Sequence, residues 1–169
     1  IQVFSSPAQY KQQLLSLIAS ARTRIYITAL YLQNDAAGVE ILHALYQAKN
    51  NFPALDIKVF VDFHRAQRGL IGEKQSLGNR ALYLELAEQY QQQIDIFGVA
   101  VKSKEVFGVL HLKGMVFDQQ VFYTGASIND IYFHQQQRYR LDRYYQINSI
   151  GLSDSFCDYL MRYFVNSEL

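Results

Sequence analysis

His111-Leu112-Lys113-Gly114-Met115-Val116-Phe117-Asp118 is the stretch on which the reading of this chain turns. Its apolar, β-branched and aromatic residues predict a strand over 109–117, joined by a turn at Asp118-Gln119-Gln120 to a second strand over 121–123. Side chains two apart on a strand share a face, so His111 and Lys113 project into one site. An imidazole nucleophile beside a fixed ammonium suits attack on a phosphodiester. The ring forms the covalent bond, and the cation holds the phosphoryl oxygens as charge builds on them. Standing alone, a His-x-Lys pair on an edge strand is ordinary solvated surface. Asp118 is separated from His111 by about 23 Å of strand at ~3.3 Å per residue, too far to share the site. It reads as a turn-stabilising residue, because Asp bonds nearby backbone groups.

Outward from this stretch, strands and helices alternate. Ser5-Ser6-Pro7 opens a helix running to about residue 21, with Leu14, Leu17, Ile18 and Ala21 at helical spacing. Residues 24–31 predict a strand, 39–49 a helix and 56–62 a second strand. A glycine-punctuated loop over 63–78 leads to a helix near 79–92 and a short strand over 94–97. A strand over 142–147 and a last helix capped by Ser153 complete the chain. Successive β–helix units predict an α/β fold: a mixed, mostly parallel sheet flanked by helices on both faces. No linker or internal repeat interrupts residues 1–169, which read as a single domain.

Composition narrows the class. Half of the residues are hydrophobic and only two are proline, as in a folded domain with a substantial core. The net charge of +1 lacks the basic excess of a nucleic-acid-binding domain, so no nucleic-acid partner is expected. A lone Cys157 fits a reducing compartment, and no apolar run reaches the ~18 residues of a membrane span. The expected location is therefore cytoplasmic. The sequence begins at Ile1 rather than Met, which reads as a piece of a longer protein.

The surroundings of the His-x-Lys pair change its reading. HxKxxxxD is followed by Gly125-Ala126-Ser127-Ile128-Asn129, and together these resemble the phospholipase D superfamily. Three further stretches are similar to its phosphatidylserine synthase branch. They are Asp62-Phe63-His64-Arg65-Ala66-Gln67-Arg68-Gly69, the run from Gly125 to Tyr132, and Arg138-Tyr139-Arg140-Leu141-Asp142-Arg143-Tyr144. The likeness extends from about residue 3 to 165.

The resemblance implies a phospholipase D-like domain and assigns roles. His111 attacks phosphorus and becomes a phosphohistidine, Lys113 stabilises charge, and Asp142 accepts a hydrogen bond from the imidazole to set its tautomer. Asp142 could also be a surface acid paired with Arg140 or Arg143. Asp118 and Asn129 complete the motif, Asp118 as architecture. Gly125, Ser127 and Asn129 form a turn able to cradle phosphoryl oxygens. That turn is one residue longer than in many relatives, which leaves open whether Ser127 or Asn129 faces the phosphate. His64, Arg65 and Arg68, at the end of the second strand, suit a pyrophosphate, and Arg138 joins them as a substrate-binding residue. His43 lies in a helix and has no expected catalytic role.

The implied reaction is double displacement. CDP-diacylglycerol and L-serine give phosphatidylserine and CMP, with no cofactor and no metal, since Lys113 fills the cationic role. One His cannot be both nucleophile and acid–base group. A second phospholipase D-like domain or a second chain should therefore supply a second motif, which makes this chain an N-terminal half. Tyr132, Phe133, His134, Arg138, Tyr139, Arg140, Arg143, Tyr144 and Tyr145 read either as a rim on an anionic phospholipid surface, peripheral on the inner face of the membrane, or as sheet packing. The alternatives are a phospholipase D, a cardiolipin synthase, a homodimeric endonuclease, or an inactive lipid-binding half-domain.

Overall fold

The computed structural model describes residues 1–68, 78–101 and 109–166. Residues 69–77 of the loop expected over 63–78 lie outside the described residues. The elements are β1 (Gln2–Phe4), α1 (Pro7–Ser20), β2 (Arg24–Ala29), α2 (Ala36–Asn51), β3 (Asp56–Asp62), α3 (Phe63–Ala66), α4 (Asn79–Gln89), β4 (Asp95–Val99), β5 (Gly114–Phe117), β6 (Gln120–Thr124), β7 (Tyr144–Asn148) and α5 (Ile150–Leu160). Beyond α5 the chain makes a π-helical turn, Met161–Val165.

Among the described residues, seven strands form one sheet in the order β1-β7-β6-β5-β2-β3-β4. The α/β class holds, but the mostly parallel sheet does not. Only β2–β3 and β3–β4 pair parallel. The pairs β1–β7, β2–β5, β5–β6 and β6–β7 are antiparallel. The cause lies in the second half of the chain. Asp118 and Gln119 alone join β5 to β6, and so short a turn closes only antiparallel neighbours.

Apolar alternation along the strands builds two cores. On one face, Tyr10, Leu14 and Ile18 of α1, Ile41, Leu42 and Leu45 of α2, and Leu82 and Leu86 of α4 pack on the sheet. The sheet meets them with Ile25, Ile27, Val59, Val61, Met115 and Phe117. On the other face, Cys157 and Leu160 of α5 cover Tyr26, Phe60, Val116 and Val121. Each fully buried Leu or Ile contributes about 1.5–3 kcal/mol, so this packing, more than helix propensity, holds the helices.

Local caps set the ends. Ser6 accepts a hydrogen bond from the Gln9 amide at 3.2 Å, with Pro7 in the first turn. Ser149, not the expected Ser153, caps α5, accepting from the Leu152 amide at 3.3 Å. Ser153 lies one turn further in, buried, and donates to the Ile150 carbonyl at 2.9 Å. Either serine fits the cap pattern, and the helix start selects between them.

Asp118 adopts φ 54, in the left-handed region that Asp tolerates. Its carboxylate accepts from the Thr23 amide at 2.8 Å, the Thr23 hydroxyl at 2.7 Å, the Arg24 amide at 3.1 Å and the Arg22 amide at 3.0 Å. It thus pins the β5–β6 turn to the segment entering β2. Burial raises its pKa, but the donors from Thr23, Arg24 and Arg22 outweigh burial and hold it below the usual value.

Candidate active site

The strand expected over 109–117 begins only at Gly114, so His111 and Lys113 precede β5 rather than lie within it. Gly114 pairs with Thr28 at φ 142, a conformation glycine adopts readily, and its carbonyl accepts from the Thr28 hydroxyl at 2.7 Å. Before Gly114 the chain leaves the β2 ladder. The Leu110 amide donates instead to Oδ2 of Asp62, at 2.7 Å. The two-residue alternation nevertheless persists. Leu110, Leu112 and Val116 pack beneath α5, whereas Met115 and Phe117 belong to the opposite core. His111 is exposed and Lys113 half-buried.

Lys113 Nζ donates to Ser127 Oγ at 3.2 Å, which joins the His-x-Lys run to the small-residue turn. Asn129 is committed elsewhere: its Oδ1 accepts from the Tyr132 amide at 3.1 Å and caps the following turn. The lysine thus meets Ser127, whereas which of Ser127 and Asn129 faces a phosphate is a separate matter of the bound substrate. Burial lowers the Lys113 pKa, and the nearby charge of Asp142 pulls it back up. Gly125 borders the same carboxylate. A Cβ at Gly125 would stand 2.9 Å from Asp142 Oδ2, so any side chain here would displace that carboxylate.

The expected bond between Asp142 and His111 is not formed. Asp142 Oδ1 accepts from the Arg143 amide at 2.7 Å, and among the described residues His111 has no hydrogen-bond partner. Nor does Asp142 make an ion pair with Arg140 or Arg143 among those residues. Arg140 instead places its guanidinium over the Tyr132 ring, 5.9 Å from the centroid.

The sequence pattern of the family described as cardiolipin synthase, PLD-like domain, matches residues 14–132. The chain belongs to this PLD-like family. It is 47% identical, over 98% of its length, to a CDP-diacylglycerol–serine O-phosphatidyltransferase of Haemophilus influenzae, and covers 37% of that protein. The corresponding Escherichia coli protein is 43% identical over 98% of this chain and is likewise covered to 37%. The crystal structure of the phosphatidylserine synthase of Haemophilus influenzae superposes with a TM-score of 0.90 at 45% identity, covering 98% of this chain and 37% of that one. The chain therefore spans little more than a third of these relatives.

Within this PLD-like domain, His64 and Arg65 lie on α3 and Arg68 just beyond it, at the C-terminal end of β3. The Asp62–Leu110 bond brings α3 against the run that carries His111. Arg138 is exposed on the segment leading to β7. The aromatic and basic segment divides. Phe133 and Tyr144 are buried, with ring centroids 5.1 Å and 4.4 Å from Tyr10, so the sheet-packing reading holds for them. Ile131, Tyr139 and Leu141 are exposed beside Arg138, Arg140 and Arg143. His43 bonds the Tyr90 hydroxyl at 2.7 Å. No helix among the described residues is long and apolar enough to cross a membrane.

Two acidic groups near the site escaped the sequence reading. Asp35 caps α2 through Gly38 and accepts from the Asp130 amide at 2.9 Å, while Asp130 accepts from the Ala37 amide at 2.8 Å. This reciprocal clamp holds the turn that presents Ser127. Burial raises the Asp35 pKa, partly offset by these donors. The signal is an Asp before a helical run, hidden because apolar periodicity begins only at Val39 whereas α2 begins at Ala36. The second group is Asp62, a strand-ending Asp that caps α3 through the Arg65 amide at 2.8 Å.

Proposed function

We propose that this domain is one half of a phosphatidyltransferase that makes phosphatidylserine and CMP from CDP-diacylglycerol and L-serine. The observation that carries this reading is the Lys113–Ser127 contact beside Asp142, which joins the HxK run to the Gly125–Asn129 turn. The names of the relatives supply the substrates. The Lys113 ammonium and Ser127 hydroxyl hold the phosphoryl oxygens, where charge grows in the transition state. The neutral imidazole of His111 attacks phosphorus, the P–O bond to CMP breaks, and a phosphatidyl-histidine forms. The serine hydroxyl then attacks phosphorus, loses its proton to a base and frees His111.

The acid that protonates CMP and the base that deprotonates serine belong to a second motif, in another domain or another chain. His64, Arg65 and Arg68 bind the pyrophosphate from the α3 side, and Arg138 from the opposite rim. Asp142 keeps Lys113 charged. Asp118 and Asn129 shape the two turns. The exposed residues Tyr139, Leu141, Arg138, Arg140 and Arg143 rest on anionic lipid at the inner, cytoplasmic face of the membrane.

The test is serine-dependent CMP release by the full-length enzyme. His111→Ala removes nearly all of it, and Lys113→Met lowers it by about 10²-fold or more, the scale seen on deleting one oxyanion donor. Near-normal release by folded His111→Ala would overturn the assignment. Release that persists unchanged without serine would make the enzyme a hydrolase.

A further inference from the structure

We infer that Asp62 is a positioning residue, whose buried carboxylate sets the spacing between the run carrying His111 and the α3 turn carrying His64 and Arg65. The inference rests on reading His111 as the nucleophile. Asp62 is 0% exposed. Among the described residues it has no cationic partner, and its oxygens are taken by two backbone amides, Arg65 at 2.8 Å and Leu110 at 2.7 Å. Burying a carboxylate without a cation is costly. Capping a single turn such as α3 does not require one, since Ser or Asn caps as well as Asp. Only a carboxylate presents two oxygens that accept and no group that donates.

The second acceptor is used by Leu110, the residue before His111. Its amide lies outside any strand, because the ladder with β2 starts at Gly114. Asp62 therefore takes the place of a neighbouring strand there. The run from Leu110 to Gly114 is fastened at one end by Asp62 and at the other by Thr28, with His111 between them. Loss of the Asp62–Leu110 bond lets the imidazole drift, while Lys113 keeps its bond to Ser127 and the Arg65 cap of α3 is a separate contact. A displacement near 1 Å of a reacting group can cost about 10²-fold in rate.

Two variants of the full-length enzyme test this. Asp62→Asn retains one acceptor and places an NH₂ donor against the other amide, and the cap at Arg65 is the site Asn prefers. Replacing Leu110 by its α-hydroxy analogue converts the peptide N–H to an ester oxygen and deletes the same bond from the other side, with Asp62 untouched. Rates are taken per mole of folded enzyme, from circular dichroism of the same samples. Both changes lower kcat by tens of fold, up to about 10²-fold, and leave KM for CDP-diacylglycerol nearly unchanged. A wild-type kcat in the ester variant, or a rise in KM with kcat preserved, would overturn the inference. If Asp62→Asn fails to fold, the ester variant alone decides. His111→Ala is run in parallel. If it stays active, the reading of the site fails, whereas an inactive His111→Ala beside an active ester variant removes only the role of Asp62.

Discussion

Lys113 shows how closely activity and stability are opposed at a single residue. Half-burial lowers its pKa and Asp142 raises it again. On our reading, turnover requires the ammonium, so it falls as pH rises through the Lys113 pKa, earlier than for an exposed lysine. Asp142→Asn removes the raising charge and should move this alkaline limb to lower pH, as a pH–rate profile would show. The linkage sign follows. A cation with a lowered folded pKa costs stability while charged; the cost starts to fall as pH rises through that folded pKa and is gone above the ordinary lysine value. Lys113→Met is therefore expected to keep or increase resistance to urea at neutral pH while lowering turnover by about 10²-fold or more. Gly125→Ala tests the same carboxylate by crowding, since the new methyl would meet Asp142 Oδ2. Turnover should drop by up to about 10²-fold with the fold retained, measured as CMP release beside a thermal melt. The pairing of His111 with Lys113 is an expectation drawn from spacing. That Ser127 and not Asn129 meets the lysine is not legible there, because it depends on which side chain its own turn consumes.

At the scale of elements, the β5–β6 turn carries the clearest prediction. Asp118→Asn keeps a residue tolerant of φ 54 but loses charge-assisted bonds to Thr23, Arg24 and Arg22. It should cost about 1–3 kcal/mol at neutral pH, read from urea unfolding, with turnover per folded enzyme unchanged. Because the Asp118 pKa is depressed in the fold, its contribution is present above the ordinary Asp value of about 3.9 and is lost as pH falls through the lower folded value. The gap between wild type and Asp118→Asn should therefore close in strong acid. The long elements α1, α2, β2 and β3 announced themselves by periodicity. β1, three residues at the sheet edge, and α3, a single turn, are too short for a period to register.

For the whole molecule, the prediction concerns completeness. One HxK motif cannot both carry the phosphatidyl group and shuttle its protons. The isolated 169-residue chain should release no CMP, and its exposed Leu141, Tyr139 and Ile131 should favour self-association or membranes. Turnover by a strictly monomeric chain, checked by mass in solution, would refute this. Binding to vesicles should strengthen with anionic lipid and weaken with salt. Residue order by itself determined the HxK pattern and the alternation of two-sided strands, written in spacings shorter than one element, and the α/β class and the family, written in the order of elements and motifs along the chain. The order of strands in the sheet, the Asp62–Leu110 anchor, the Asp35–Asp130 clamp and the partner of Lys113 were decided only by the tertiary structure. The last three contacts join residues 48, 95 and 14 positions apart in the chain. Packing of whole elements selects such contacts, since many local sequences could accept or donate the same bond.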